Sequence, residues 1–186
     1  RPDVRFHDGS ALTSDAVVTM VRAATSAAPK PRILDGVELT ADAVDEDTVA
    51  VTTATPDPLV PQRLSSPQLA VLAPAAYAGD GPVDPVGHGT GPFVLTAVNG
   101  TSTATLERND DYWGEPARLA GIDVDFVPDG TARVAALRSG TADVVEAVPV
   151  AQAASVDPAL VHEVPMPRTN TLYLNTGKGP LADSAL

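Results

Sequence analysis

Two strand-like runs, Phe93 to Val98 and Thr101 to Leu106, flank the dipeptide Asn99-Gly100. No other stretch constrains the fold as tightly. Asn-Gly best tolerates the positive φ angles of a type I′ turn, so a β-hairpin is expected. A second pair of runs, Val37-Leu39-Ala41-Ala43 and Val49-Val51-Thr53, is separated by Asp45-Glu46-Asp47 and predicts another hairpin. Upstream, Val4 and Phe6 alternate with Arg5 and His7 before Asp8-Gly9 turns the chain. Thr13 then reads as the N-cap of a helix whose apolar face is Val17, Met20, Val21 and Ala24, ending before Pro29.

The pattern changes after residue 118. A strand (Ile122 to Val127), a helix (Thr131 to Ser139, stopped by Gly140) and a strand (Ala142 to Val148) predict a β-α-β unit. A short helix at Val150 to Ser155 and a last strand, Thr171 to Asn175, follow. Between the hairpins, Pro56 to Pro67 accommodates a short helix between breakers, and Leu69 to Leu72 a short strand. The fold class is therefore α/β with a mixed sheet, in two parts: a hairpin-rich part, 1–118, and an α/β part, 119–186, joined at Gly114-Glu115-Pro116.

A chain of 186 residues can bury a core of useful size. Only 4% of it is aromatic, so Val, Ala and Leu must supply most of that core. Lys and Arg number 12 against 24 Asp and Glu, a formal charge of −12, which disfavours nucleic acid and anionic membranes as partners because both require a positive field. The absence of cysteine excludes disulfides and thiolate chemistry without fixing a compartment. No window approaches the roughly 20 apolar residues of a membrane span. Because Arg1 to Phe6 already alternate like a strand, the chain is expected to be a piece of a longer one.

The glycine-rich stretch Gly87 to Phe93, "GHGTGPF", has neither the spacing of a dinucleotide loop nor the lysine of a P-loop, and a strand follows it. His7, His88 and His162 show no i, i+4 pairing of the kind zinc sites use. No G-x-S-x-G elbow marks a serine nucleophile, and the acidic cluster Asp42-Asp45-Glu46-Asp47 lacks the D-x-D-x-D-G pattern of a calcium loop. Neither a catalytic residue nor a cofactor is expected.

Five phrases occur in an order that resembles one family. "DVRFHDGSALTSDAVV" (Asp3 to Val18), "GTGPFVL" (Gly89 to Leu95), "LERNDDYWGEPARLAGI" (Leu106 to Ile122), "VPDGTARVAALRSGTADV" (Val127 to Val144) and "LYLNTGKGPLAD" (Leu172 to Asp183) are similar to blocks of the family 5 extracellular solute-binding proteins of ABC importers. The chain departs from the family pattern at Ala16, where aspartate is usual, and at His88, ahead of the GTGP phrase. The resemblance implies one lobe of a periplasmic-binding-protein-like class II fold, with residues 1–118 as an extra hairpin-rich subdomain of the N-lobe. Residues 119–186 would be the β-α-β part of its sheet, ending at the hinge to a second lobe.

It also implies a receptor without enzymatic activity, capturing small peptides or nickel chelates outside the membrane and delivering them to ABC permease subunits. A lipid anchor upstream would be the only membrane attachment. An exported peptide-signal receptor or chaperone-like module without a transport role is the alternative, and a secreted hydrolase a third that no named residue supports. Gly89, Thr90, Gly91, Pro92, Tyr112, Trp113, Asp129 and Gly140 are expected to be structural: Trp113 buried in the lobe core, Asp129 capping the helix after it, Gly140 ending that helix. The positions expected to face a ligand are Arg32, the turn Ser65, Ser66 and Gln68, and Arg168, Thr169 and Asn170. Arginine is suited there because a guanidinium forks onto carboxylate oxygens. His88 is an outside candidate for nickel.

Overall fold

The computed structural model describes residues 1–79 and 81–165. Two compact units follow one another along the chain, Arg1–Phe126 and a second that starts at Val127.

In the first unit, α1 (Ser14–Ser26) buries Ala16, Met20 and Val21. Both halves of a capping box are missing. Thr13 stands at the N-cap position with extended backbone but its side chain makes no cap bond, and Ala16 offers no carboxylate. The turn of the first hairpin substitutes: the Ser14 amide donates to Glu46 O at 2.8 Å and its hydroxyl to Asp45 O at 2.6 Å. Ala16, fully buried, packs instead with Phe6 and Ala73 in a small cluster. Val4 and Phe6 are both buried, which strict alternation along a strand edge would also allow, but only a single antiparallel bridge, Arg5 to Ala11, forms.

β1 (Leu39–Ala43) and β2 (Val49–Thr53) pair antiparallel from Leu39 with Thr53 to Ala43 with Val49. Met20, Val21, Leu34, Leu39 and Leu69 form the main core, with Val17, Val51, Leu64 and Tyr77 packed around it. Residues 69–72 are not a strand. A 3₁₀ turn, Pro67–Leu69, follows α2 (Val60–Leu64), and another spans Pro74–Tyr77. Each 3₁₀ turn begins on a proline, whose fixed φ and missing N–H favour a turn over a ladder.

β3 (Phe93–Asn99), β4 (Thr103–Arg108) and β5 (Gly121–Asp125) form an antiparallel sheet in the order β3-β4-β5. Asn99 pairs with Thr103, so Gly100 to Ser102 make a three-residue connection with Gly100 at φ 56°, replacing the two-residue type I′ turn expected from Asn-Gly. Thr96 is the extra residue of a bulge between Leu95 and Ala97.

The expected β-α-β unit does not form among the described residues. Its first strand is β5, which pairs antiparallel with β4 and extends the first unit to Phe126. Residues 142–148 carry no strand, and Val144 is 87% exposed. A strand needs a ladder partner, and here the carbonyls of Glu146 and Ala147 are taken by the Arg133 guanidinium instead. Arg133 belongs to α3 (Gly130–Ser139), which Asp129 caps by accepting the Ala132 amide at 2.7 Å and Gly140 closes at φ 73°. A short α4 spans Val150–Ala153. The expected strand Thr171 to Asn175 lies outside the described residues.

Candidate functional site

The loop from His88 to Pro92 is a backbone clamp. Its five consecutive carbonyls accept from four separate segments: His88 O from the Ala73 amide, Gly89 O from the His7 amide, and Thr90 O from the Trp113 indole. Gly91 O accepts from the His7 ring and the Asn109 side chain, and Pro92 O from the Asn109 amide. Since a carbonyl only accepts, the His7 nitrogen 3.0 Å from Gly91 O, Nε2, carries the ring proton. A Cβ on Gly89 would lie 3.2 Å from His7 Cε1, so any other residue there would require the ring to shift by a few tenths of an ångström.

Trp113 is not buried in the core as expected: it is 47% exposed. Its N–H donates to Thr90 O at 2.9 Å, which pins the indole at the rim of the clamp. The Tyr112 ring lies 4.7 Å away and the Arg1 guanidinium 4.3 Å over its face. His88 is half-buried, with Nδ1 3.0 Å from Asp84 O. Among the described residues no group of three or more His, Asp or Glu side chains converges to hold a metal ion, so His88 has no set of co-ligands there.

Two of the expected ligand-facing segments come together. Arg32 begins a 3₁₀ turn, Arg32–Leu34, and is exposed. Gln68 reaches that turn, its Oε1 accepting the Ile33 amide at 3.4 Å. The amide group of Gln68 therefore presents its NH₂ away from Ile33. The Ser66 hydroxyl oxygen accepts the Gln68 amide, while the Ser65 hydroxyl donates to Gln62 O at 2.8 Å. The Arg32 side chain makes no hydrogen bond or ion pair among the described residues. The two segments thus meet at Ile33, with donor-bearing Arg32 next to it in the chain and Gln68 bonded to it. Arg168, Thr169 and Asn170 lie outside the described residues.

Sequence reasoning missed Arg63 and Asp57. Arg63 Nε lies 2.7 Å from Asp57 Oδ2, with side chains only 19% and 14% exposed, and Arg63 Nη1 donates to Ile33 O. The Leu59 amide, and then Arg63, hold the Asp57 carboxyl below its ordinary value. The two charges stand six positions apart across two prolines, Pro58 and Pro61, a spacing that no helix or strand rule pairs. Beside them is a depression of about 190 Å³ between Gly36 to Glu38, Thr53 to Asp57 and Arg63. Another, open and of about 300 Å³, lies between Thr13 to Asp15 and Ala43 to Glu46.

The mixed α/β scaffold is one that solved ABC transporter substrate-binding proteins share, among them one from Sinorhizobium meliloti at 26% identity and a TM-score of 0.63. A solved nickel ABC transporter structure from Bacillus halodurans superposes with a TM-score of 0.70 at 27% identity, over 83% of this chain and 31% of that one. Along residues 1–186 the chain matches the family described as bacterial extracellular solute-binding proteins, family 5 Middle, and it belongs to that family. It is 35% identical over 103 residues to the probable ABC transporter periplasmic-binding protein SapA of Escherichia coli strain K12, covering 53% of this chain and 18% of SapA. To the nickel-binding periplasmic protein of the same organism it is 31% identical over 105 residues, covering 53% and 20%. The matched stretch thus spans about a fifth of the length of these curated relatives.

Proposed function

We propose that the full-length protein is the substrate-binding receptor of an ABC import system, taking up small peptides first and nickel chelates second. The observation that carries this reading is the meeting of the Arg32 and Gln68 segments at Ile33. A peptide C-terminus or the carboxylates of a metal chelate offer the acceptor oxygens such donors pair, and a guanidinium takes them two at a time. Arg168, Thr169 and Asn170 belong to the same ligand-facing set, and His88 is a nickel candidate. The chain serves as part of the N-lobe, with its two parts divided between Phe126 and Val127.

The receptor performs no bond chemistry. Ligand binds the closed arrangement of two lobes more tightly than the open one, closure shifts the population, and the permease meets the closed form. Capture takes place outside the cytoplasmic membrane, with a lipid anchor as the tether. The names of the E. coli relatives, both periplasmic binding proteins, support that location.

Calorimetry on the full-length protein with a library of short peptides and with nickel–histidine mixtures tests the reading. Saturable binding to one class, lost in Arg32→Ala, is expected. No binding to either class overturns it.

A further inference from the structure

We infer that Arg63 is a positioning residue for the ligand-facing edge, acting on Arg32 through the backbone of Ile33 with Asp57 as its anchor. This rests on the reading of Arg32 as a ligand contact given above. The turn Arg32–Leu34 is a single 3₁₀ turn, closed by two bonds of its own, from the Leu34 amide to Pro31 O and from the Asp35 amide to Arg32 O. A turn that short has poor internal hydrogen-bond geometry and takes its position from what holds it.

Both backbone groups of Ile33 are held by side chains from the 57–68 segment. Arg63 donates to its carbonyl and Gln68 accepts its amide. Arg63 is fixed in turn, because Asp57 takes its Nε on one carboxylate oxygen and the Leu59 amide on the other.

The choice of arginine follows from the geometry. A planar fork can meet a carboxylate and a carbonyl at once in fixed directions, whereas an ammonium on a flexible stem is a point charge without that shape. The pair is also electrically self-contained. Asp57 matches the Arg63 charge at 2.7 Å, so the pair brings no net positive charge to a ligand anion. Arg63 sets where the Arg32 charge stands rather than adding to it.

Amide hydrogen exchange and calorimetry on full-length Arg63→Met, Arg32→Ala and the double variant test this, using the short-peptide library and nickel–histidine as probes. Arg63→Met is expected to speed exchange at Leu34 and Asp35 by about tenfold while leaving the Leu95 and Leu106 amides unchanged. It should weaken ligand binding by about tenfold alone and by nothing further in the Arg32→Ala background, the signature of two residues acting through one contact. Arg63→Lys should restore only part of that loss. Unchanged exchange at Leu34 and Asp35 overturns the inference, and so does an equal affinity loss in both backgrounds. An Arg32→Ala variant that binds normally instead removes the reading of Arg32 as a ligand contact, and exchange alone then judges Arg63. Should Arg63→Met not fold, Asp57→Asn carries the same measurements, since it removes the anchoring charge but keeps an acceptor for the Leu59 amide.

Discussion

Gly89 shows how one missing side chain holds the first unit together. Its carbonyl accepts the His7 amide, and the His7 ring passes within 3.2 Å of where a Cβ would stand, on its way to Gly91 O. Gly89→Ala should displace that ring and cost about 1–3 kcal/mol, the range for a disturbed, partly buried hydrogen bond; urea denaturation measures it, and an unchanged midpoint would show that the ring moves aside freely. At Asp57 the prediction concerns pH. Its folded carboxyl lies below the ordinary value of 3.8, so the stability it contributes is fully present above that value and is lost as pH falls through the lower, folded one. Thermal melts of the wild type and Asp57→Asn should therefore converge as the pH is lowered past 3.8 and through the folded value. Curves that stay parallel throughout would show the pair to be without effect.

Among the elements, α1 depends on a neighbour for its start. The Ser14 hydroxyl donates to Asp45 O from a side chain only 6% exposed, so Ser14→Ala leaves a carbonyl of the β1–β2 turn without that donor. A loss of about 1–2 kcal/mol is expected in chemical denaturation, together with faster exchange in the hairpin turn; a loss confined to the helix would argue against the coupling. The hairpins themselves were legible because turn and alternation are local, a few residues deciding each. What decides β5 is not local. Ile122 to Asp125 reads equally well as the first strand of a parallel pair, and only its register with Thr103 to Leu106 makes it the antiparallel edge of the β3-β4 sheet. Trp113 was misjudged for a similar reason: indole area argues for burial, but its N–H found the Thr90 carbonyl, at a distance in sequence no pattern encodes. Arg32 and Gln68 follow from the resemblance, whereas Arg63, which donates to Ile33 O, has no signal in the sequence beyond being a charge in a proline-rich stretch.

At the scale of the whole molecule, residues 1–186 alone should bind the full-length protein's ligand at least tenfold more weakly, since one wall of a cleft supplies only part of the contacts that must offset lost freedom on binding. Calorimetry of the two side by side decides it; equal affinity would mean that this chain holds the complete site. The clamp at His88 to Pro92 has a further effect, on the order of folding. His7 and Gly91 are separated by 84 positions, and closing so long a loop comes at an entropic cost that nothing repays until both ends are in place. The β3–β4 hairpin and the α1–β1–β2 cluster can form first, and the clamp is then the step that locks them together. Substitutions in it should speed unfolding while leaving the folding rate nearly unchanged.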